Sequence, residues 1–157
     1  MSTDKTTVIR KGAKGDLQGV RACAAAAYAI YIPRIGREPA PMVADFEGHV
    51  AREELFVAVT GGAVAGYIVL YRRGDHLHIE NVAVDPACQG RGIGRVLLGF
   101  AEEAALDLGL FSIELYTNAK MTENLALYPR LGYEETARRT EDGFDRVFFR
   151  KALTANP

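Results

Sequence analysis

The sequence contains no tryptophan, only two cysteines and no long hydrophobic run. Cys23 and Cys88 lack the spacing of a disulfide framework, and the start of the chain, residues 1–5, lacks the apolar core of a signal peptide. The longest run of small residues, Ala22–Ala27, is far shorter than the ~20 apolar residues that a membrane span needs. We therefore expect no membrane partner and a reducing, cytoplasmic environment.

The chain also lacks an excess of charge of either sign. Its 19 lysines and arginines and 20 aspartates and glutamates leave a net charge of −1, so no broad positive field for nucleic acid is present. Its 157 residues, 48% of them apolar, are enough for one domain with a hydrophobic core. We expect residues 1–157 to form a single domain whose partner is small.

Periodic apolar residues and turn sequences predict alternating strands and helices. The pairs Gly61-Gly62 and Asp142-Gly143 each predict a tight hairpin. The predicted order is β-α-α-β-β-β-α-β-α-β-β. Strands are predicted at 7–10, 55–60, 64–71, 76–84, 112–116, 134–139 and 146–151, and helices at about 16–28, 44–51, 93–108 and 123–130, with Leu17, Val20, Ala24 and Tyr28 facing the core on the first helix.

A glycine-dense turn, Gln89–Gly94, connects an apolar strand to an amphipathic helix in which Val96 and Leu108 are among the regularly spaced apolar residues. Free N–H groups and the positive dipole end at a helix start favour an anion, and glycine lets a phosphate approach the backbone. Arg91 and Arg95 add positive charge. The spacing fits neither a dinucleotide fingerprint nor a Walker loop. The turn predicts another kind of phosphate loop, the alternative being a glycine-rich turn with no ligand.

Gln89, Gly92 and Gly94 fit the pattern (Gln/Arg)-x-x-Gly-x-(Gly/Ala), which resembles the coenzyme A pyrophosphate loop of the GNAT N-acetyltransferase superfamily. Residues 124–133 resemble the L-Y-x-x-x-G-(F/Y) segment that lies near the acetyl group in that family. The predicted element order also matches the family over nearly the whole chain. The resemblance implies a small stand-alone member with an α/β (α+β) GNAT fold, in which a central mixed, mostly antiparallel sheet is flanked by helices.

The resemblance implies acetyl-CoA as the cosubstrate. The pantetheine arm would lie against the exposed backbone of Val82–Val84, where an N–H group would stabilise the acyl oxygen. Tyr128 would be the general acid for the departing thiolate, the alternative being an ordinary core tyrosine. The family's usual asparagine, seven residues before this tyrosine, is Met121 here, while Asn118 and Asn124 lie nearby. The expected coenzyme-binding residues are Val82, Ala83, Val84, Gln89, Gly90, Arg91, Gly92, Ile93, Gly94, Arg95, Asn118 and Asn124.

Residues 76–80 offer candidate general bases. His76, His78 and Glu80 alternate along the predicted strand, so their side chains should project from one face. Glu80 resembles the family glutamate that activates the amine directly or through water, and burial would raise its pKa toward the working range. His78 could replace or relay it. The alternatives are a carboxylate paired with an arginine and solvated histidines. No second cluster completes a metal set, so we expect no metal.

The connection between the first two helices, residues 28–42, usually covers the acceptor site in the family. Tyr28 and Tyr31 offer aromatic faces, and the Arg34 and Arg37 guanidinium groups could hold a carboxylate or phosphate of the acceptor. Alternatively, both tyrosines pack beneath this connection, and both arginines are solvated or neutralised by nearby carboxylates.

We therefore predict direct transfer of an acetyl group from acetyl-CoA to the primary amine of a small molecule, with no covalent enzyme intermediate. Cys88 adjoins the glycine turn but has no partner histidine in the local motif, so a thioester on its sulfur is an alternative without further support. The broader alternatives are a protein or peptide N-acetyltransferase and a non-catalytic acyl-CoA sensor module. The sequence leaves open which amine accepts the group and whether the chain forms a homodimer.

Overall fold

The computed structural model describes residues 6–154; residues 1–5, where the sequence lacks a signal-peptide core, and residues 155–157 lie outside the described part. A seven-stranded sheet carries helices on both faces. The strands are β1 (Thr7–Lys11), β2 (Leu55–Thr60), β3 (Ala63–Arg73), β4 (His76–Val84), β5 (Ser112–Asn118), β6 (Glu134–Glu141) and β7 (Phe144–Ala152). The helices are α1 (Leu17–Tyr28), α2 (Ile32–Ile35), α3 (Phe46–Ala51), α4 (Ile93–Asp107) and α5 (Thr122–Arg130).

The strands follow the order β1-β2-β3-β4-β5-β7-β6 across the sheet, and every neighbouring pair is antiparallel except β4 with β5. The prediction of a mixed, mostly antiparallel sheet is confirmed. Both predicted hairpins are present: φ is 59° and 81° at Gly61 and Gly62, and 53° and 78° at Asp142 and Gly143. Two successive positive φ angles let a two-residue turn follow the twist of its strands.

The sheet opens between its two central strands. β4 and β5 pair only over residues 77–79 and 113–115, although β4 continues to Val84 and β5 to Asn118. A strand edge without a neighbour leaves backbone N–H and C=O groups available to other partners. The divergence therefore exposes one side of the β4 backbone beyond Ile79 to the space between the strands.

A β-bulge at Glu80 marks the point where the strands part. Two consecutive residues of β3 lie opposite Ile79 and Asn81, so Glu80 between them is an extra residue on β4. A bulge bends its strand and interrupts the alternation of side chains. Glu80 and Asn81 consequently turn toward the same face, where they accept hydrogen bonds from two tyrosines of β3, Tyr71 and Tyr67 respectively.

One face of the sheet is covered by α1 and α3, which pack on β2, β3 and β4. The periodicity of α1 was sufficient to predict its buried side. All of the residues predicted to face the core are buried: Leu17, Val20, Ala24 and Tyr28.

The opposite face is covered by α4, whose buried stripe differs from the prediction. Val96 and Leu108 were expected in that stripe but are 46% and 52% exposed, and the helix ends at Asp107. Apolar residues occur on several sides of this helix, so spacing alone does not select the side that packs on β3 and β4. The residues that α4 buries are Ile93, Leu97, Leu98, Ala101 and Ala105.

The connection between α1 and α3 is more regular than predicted. It contains the short helix α2 and further turns of 3-10 helix at Ala29–Tyr31 and Ala40–Val43. Pro33 lies in the first turn of α2, where its missing N–H costs nothing. α3 begins at Phe46, two residues later than predicted, because the Asp45 side chain caps its first turn. Within residues 6–154, no helix is both long and apolar enough to cross a lipid bilayer.

Candidate active site

Three clefts meet around the opening between β4 and β5. The first, which we call the loop cleft, has a volume of about 330 Å³ and lies between the glycine turn, α5 and the free edge of β4. Arg91 is exposed and does not belong to its lining. Asn118 lines a neighbouring cleft. The other residues predicted to bind a coenzyme all line the loop cleft: Val82, Ala83, Val84, Gln89, Gly90, Gly92, Ile93, Gly94, Arg95 and Asn124.

The start of α4 faces this cleft with its backbone uncapped. Gly92 is the N-cap residue, has φ of 76°, and is followed by a first turn that holds no acidic residue and receives no side-chain cap. The first N–H groups of a helix have no partner within it, so such a start favours an external anion. Gly90 also has positive φ, 84°, which keeps the turn open.

The packing of the protein does not require glycine at position 94. A methyl group at this position would have Val84 Cγ2 as its nearest neighbour, at 3.7 Å, which is ordinary van der Waals contact. Gly94 is helical, so its φ does not demand glycine either. Because the residue lines the loop cleft, the room above it suits a ligand that approaches the backbone closely.

Tyr128 lies between the loop cleft and a smaller cleft of about 50 Å³, which we call the central cavity. The residue is 6% exposed, and burial raises the pKa of its hydroxyl to about 12. Tyr133 and Phe149 fix the ring, each with a centroid distance of 5.6 Å. Gly132, with φ of 93°, ends the preceding helix as predicted and directs the chain into β6. Because its pKa is raised to about 12, the Tyr128 hydroxyl keeps its proton at neutral pH.

Polar side chains of β5 and α5 complete the wall around Tyr128. Asn124 lines both clefts, and its Nδ2 donates a hydrogen bond to Thr117 Oγ1 at 3.1 Å. Asn118 lines the central cavity and accepts a hydrogen bond from the backbone N–H of Lys120. Met121, at the position of the expected asparagine, is 2% exposed. Asn124 is thus the asparagine that reaches the loop cleft.

Glu80 lines the central cavity, and its neighbours stabilise the ionised carboxylate. Oε2 accepts hydrogen bonds from His78 Nε2 at 2.8 Å and from the Tyr71 hydroxyl at 3.2 Å. Burial acts to raise the pKa of Glu80, but the hydrogen bond and Coulombic attraction of His78, together with the hydrogen bond from Tyr71, outweigh it, so the pKa lies below the ordinary 4.5. The expected net rise of this pKa toward the working range is therefore wrong, because the sequence did not reveal the hydrogen bonds that His78 and Tyr71 donate to the carboxylate.

His76, His78 and Glu80 do share one face, because all three line a third cleft of about 640 Å³, which we call the polar cavity. His76 Nδ1 lies 3.1 Å from Glu114 Oε2 of the neighbouring strand. Among residues 6–154, no group of three or more His, Cys, Asp or Glu side chains is arranged to hold a metal ion. The two histidines are each paired with a carboxylate.

Asn81 is a part of this region that the sequence analysis missed. Its Oδ1 accepts hydrogen bonds from the Tyr28 hydroxyl at 3.1 Å and the Tyr67 hydroxyl at 3.0 Å, and its Nδ2 donates to the Pro41 carbonyl at 3.0 Å. Tyr28 also donates to the carbonyl of Val82 on the free strand edge. Asn81 is 4% exposed, so its satisfied amide ties the α1–α3 connection to the bulge.

The aromatic and basic residues of the α1–α3 connection take different places. Tyr28 and Tyr31 line the loop cleft, and Tyr28 reaches the central cavity as well. Arg34 pairs with Glu123 of α5 at 2.6 Å, and this hydrogen bond lowers the pKa of Glu123 to about 2. Arg37 lies 3.6 Å above the ring of Phe144 and donates to the carbonyl of the hairpin residue Asp142. Both guanidinium groups therefore brace the connection against other elements.

Comparison with known sequences gives consistent partial matches. The chain is 34% identical over 86 residues to the uncharacterized N-acetyltransferase YvbK of Bacillus subtilis, covering 54% of this chain and 56% of that protein. It is 36% identical over 87 residues to an aminoalkylphosphonate N-acetyltransferase of Salmonella typhimurium, covering 51% and 56%. It is 38% identical over 85 residues to a mycothiol acetyltransferase of Pseudarthrobacter chlorophenolicus, covering 50% and 26%. The matches thus span about half or less of these relatives.

Solved structures match the fold over nearly the whole chain. The ribosomal-protein-S18-alanine N-acetyltransferase of Escherichia coli has a TM-score of 0.73 at 23% identity, with 97% of both chains covered. The PaiA N-acetyltransferase of Thermoplasma acidophilum, determined in complex with coenzyme A, has a TM-score of 0.75 at 16% identity, covering 94% of this chain and 99% of that one. A family model described as the acetyltransferase (GNAT) family matches residues 24–133, and the chain therefore belongs to the GNAT acetyltransferase family.

Proposed function

We propose that this protein is an N-acetyltransferase that moves an acetyl group from acetyl-CoA directly to the primary amine of a small molecule. One observation carries the proposal. Tyr128 stands between the loop cleft, which suits the coenzyme, and the central cavity, which contains Glu80. Tyr128, a proton donor, thus borders both clefts, and Glu80, a proton acceptor, lines one of them.

The loop cleft would hold the coenzyme. The uncapped N–H groups at the start of α4 suit its pyrophosphate, and Arg95 adds positive charge. The free edge of Val82–Val84 and the Asn124 side chain suit the amide groups of the pantetheine arm. The PaiA structure with coenzyme A supports this use of the fold. Asn118 and Arg91 lie at the margins of the site, so we expect them to contribute less.

The chemistry requires a base, because an amine attacks only when it is neutral. Removing the proton from an amine with an ordinary pKa near 10.4 costs roughly 4–5 kcal/mol at pH 7. We propose that Glu80 accepts this proton as the new C–N bond forms, while His78, whose Nε2–H donates a hydrogen bond to Glu80, holds the carboxylate in place. A backbone N–H of Val82–Val84 would stabilise charge on the acyl oxygen. As the C–S bond breaks, Tyr128 would give its proton to the sulfur.

The reacting amine of the acceptor would lie in the central cavity, walled by Pro39 and Pro41 of the α1–α3 connection. We retain Tyr28 as a substrate contact because it borders both clefts, and Tyr31 as a contact beside the coenzyme. Arg34 and Arg37 are better described as braces that hold this wall, since their guanidinium groups are engaged elsewhere.

A small-molecule acceptor is favoured over a protein. The aminoalkylphosphonate and mycothiol acetyltransferases are relatives named for small molecules, and the central cavity is only about 50 Å³. The S18-alanine enzyme, whose substrate is a protein N-terminus by name, keeps the peptide alternative open to test. The sensor alternative is disfavoured because a proton acceptor, Glu80, and a proton donor, Tyr128, both line the central cavity.

The proposal is tested by measuring coenzyme A release from acetyl-CoA with the purified protein. The panel should contain small amines, amino acids, polyamines, aminoglycosides and peptides that begin with alanine. We expect acceptor-dependent release with at least one small amine. Release with peptides alone would replace the small-molecule proposal. No release, together with thermal stabilisation by acetyl-CoA, would support the sensor alternative.

Substituting Gly94 should separate the coenzyme site from the stability of the fold. We expect Gly94→Ala to weaken coenzyme A binding about tenfold or more, because the methyl group takes space where a phosphate meets the backbone. The fold should gain up to about 1 kcal/mol in helix stability. Gly99→Ala is the matched control in the same helix, where a Cβ meets nothing within 4 Å. Calorimetric titration and thermal melts measure both; equal binding by the two variants would contradict the assignment.

A further inference from the structure

The polar cavity is the largest cleft at the opening, and the proposed chemistry uses only its inner end. It is open to solvent on the sheet face formed by β3 to β7. We propose, on the basis of the proposed function, that this cavity holds the body of the acceptor, and that the acceptor is a small amine that also carries an anionic group, namely a carboxylate, phosphonate or phosphate. Arg73 and Arg139 would bind that group.

The position of the cavity supports this use. It shares Glu80, Tyr116 and Arg146 with the central cavity, so a molecule bound in it reaches the proposed base. The central cavity, at about 50 Å³, has room for little more than the reacting groups, whereas the polar cavity measures about 640 Å³. The remainder of an acceptor therefore has space on this side of Glu80.

The carboxylates of the polar cavity are already paired. Glu80 lies 2.8 Å from His78, and Glu114 lies 3.1 Å from His76. On the hairpin side, Arg146 lies 3.3 Å from the Glu141 carboxylate and 3.9 Å from the Asp142 carboxylate. Every acidic side chain in this lining therefore lies beside a basic group, with Glu141 and Asp142 sharing Arg146.

The arginines of the cavity are not all paired. Among residues 6–154, neither Arg73 nor Arg139 has a carboxylate within the 4.0 Å of an ion pair. The guanidinium groups of Arg73 and Arg139 are therefore available to an anion of the acceptor. A second ammonium group on the acceptor would be repelled by both, and a neutral group would leave both unused.

The floor of the cavity holds two of its guanidinium groups in place. Arg139 lies 4.1 Å above the ring of Phe148, and Arg146 lies 4.4 Å above the ring of Tyr116. Such contacts position an arginine before a ligand arrives, while its in-plane N–H groups remain able to form a bidentate pair with a carboxylate or phosphonate. Less side-chain freedom is then lost on binding. Arg139 is therefore the residue whose removal tests the inference.

The test compares acceptors that differ only in the group opposite the amine. β-Alanine and its phosphonate analogue supply the two anions, propanolamine supplies a neutral group, and diaminopropane supplies a second ammonium. We expect kcat/KM to be about tenfold or more higher for the better anion than for propanolamine, and lowest for diaminopropane. The two anionic arms show which anion the site prefers. A neutral or cationic acceptor that matches or exceeds both anions would overturn the inference.

Arg139→Ala should raise KM for the anionic acceptor about tenfold while leaving kcat and the KM for acetyl-CoA unchanged. Arg138→Ala is the matched control, because Arg138 is the next residue on the same strand, points to the opposite face and pairs with Glu135. It should leave all constants unchanged. Equal effects of the two variants, or a dimer that Arg139→Ala dissociates without change in acceptor KM, would overturn the inference.

A binding measurement separates this inference from the proposed function. β-Alanine is titrated calorimetrically into protein saturated with coenzyme A, so no turnover is needed. Binding that Arg139→Ala weakens, in a protein that acetylates no amine, would support the anion site while defeating the transferase. Acetylation of amines with no preference for an anion and no effect of Arg139→Ala would defeat the anion site alone.

Discussion

Glu80→Gln should lower kcat/KM about a hundredfold or more, because general base catalysis typically contributes 10²–10⁴ to a rate. Glutamine keeps the shape of the side chain and can still accept hydrogen bonds from His78 and Tyr71, but it cannot take the proton from the amine. Thermal melts should show a folded protein. The loss should be greatest at low pH and with acceptors of high pKa, since the neutral amine is then scarcest.

The pH profile follows from the direction of the Glu80 pKa shift. Because this pKa lies below 4.5, the wild-type carboxylate is already ionised at every pH above that value. The wild-type rate should therefore change little with pH between this pKa and the pKa of the acceptor, because the ionised Glu80 takes the proton from the ammonium form of the amine. In Glu80→Gln the rate should rise about tenfold per pH unit up to the pKa of the acceptor. A variant with the wild-type profile would contradict the assignment of the base.

Glu114→Gln provides the matched control. Glu114 is a carboxylate on the neighbouring strand, opposite His78 in the register, but it lines only the polar cavity and pairs with His76. Its neutralisation should have little effect on kcat or on the pH profile. A loss similar to that of Glu80→Gln would mean that the charge of the cavity, and not the position of one base, controls the rate.

Local chemistry explains which parts of the fold could be predicted from the sequence. The buried side of α1 follows from a single clear apolar stripe, and the two hairpins follow from residues that tolerate positive φ. The uncapped helix start beside the loop cleft could be predicted because Gly92 and Gly94 lie where a strand leads into a helix, and Gly92 supplies no side chain to cap that helix. Each of these depends on residues within one or two turns of each other, so the sequence carries enough information.

Long-range pairing explains what could not be predicted. The bulge at Glu80 depends on the register between β3 and β4, and the low Glu80 pKa depends on His78 and on Tyr71 of β3. Arg34 was expected to face the acceptor, yet its partner Glu123 lies 89 positions away in the chain. The unmatched guanidinium groups of Arg73 and Arg139 come together only when separate strands join one sheet. Residue types alone did not reveal these partnerships.

Tyr128→Phe should lower kcat about a hundredfold while leaving the affinity for acetyl-CoA nearly unchanged. The ring is held by packing against Tyr133 and Phe149, so phenylalanine should fill the same space. What is lost is the hydroxyl proton, which the raised pKa of about 12 keeps in place throughout the neutral range. Titration of Tyr128 should therefore not produce a fall in rate on the alkaline side below that value.

Tyr133→Phe is the matched control for the loss of a hydroxyl group at Tyr128. The Tyr133 hydroxyl is buried with no hydrogen-bond partner among the described residues, and its ring packs edge-on against Tyr128. Removing an unsatisfied buried hydroxyl should leave kcat unchanged and stabilise the fold by up to about 1 kcal/mol. Single-turnover kinetics and coenzyme titrations on both variants distinguish the roles. If Tyr128→Phe loses turnover and coenzyme affinity in equal measure, Tyr128 shapes the cleft, and the leaving thiolate takes its proton from another source.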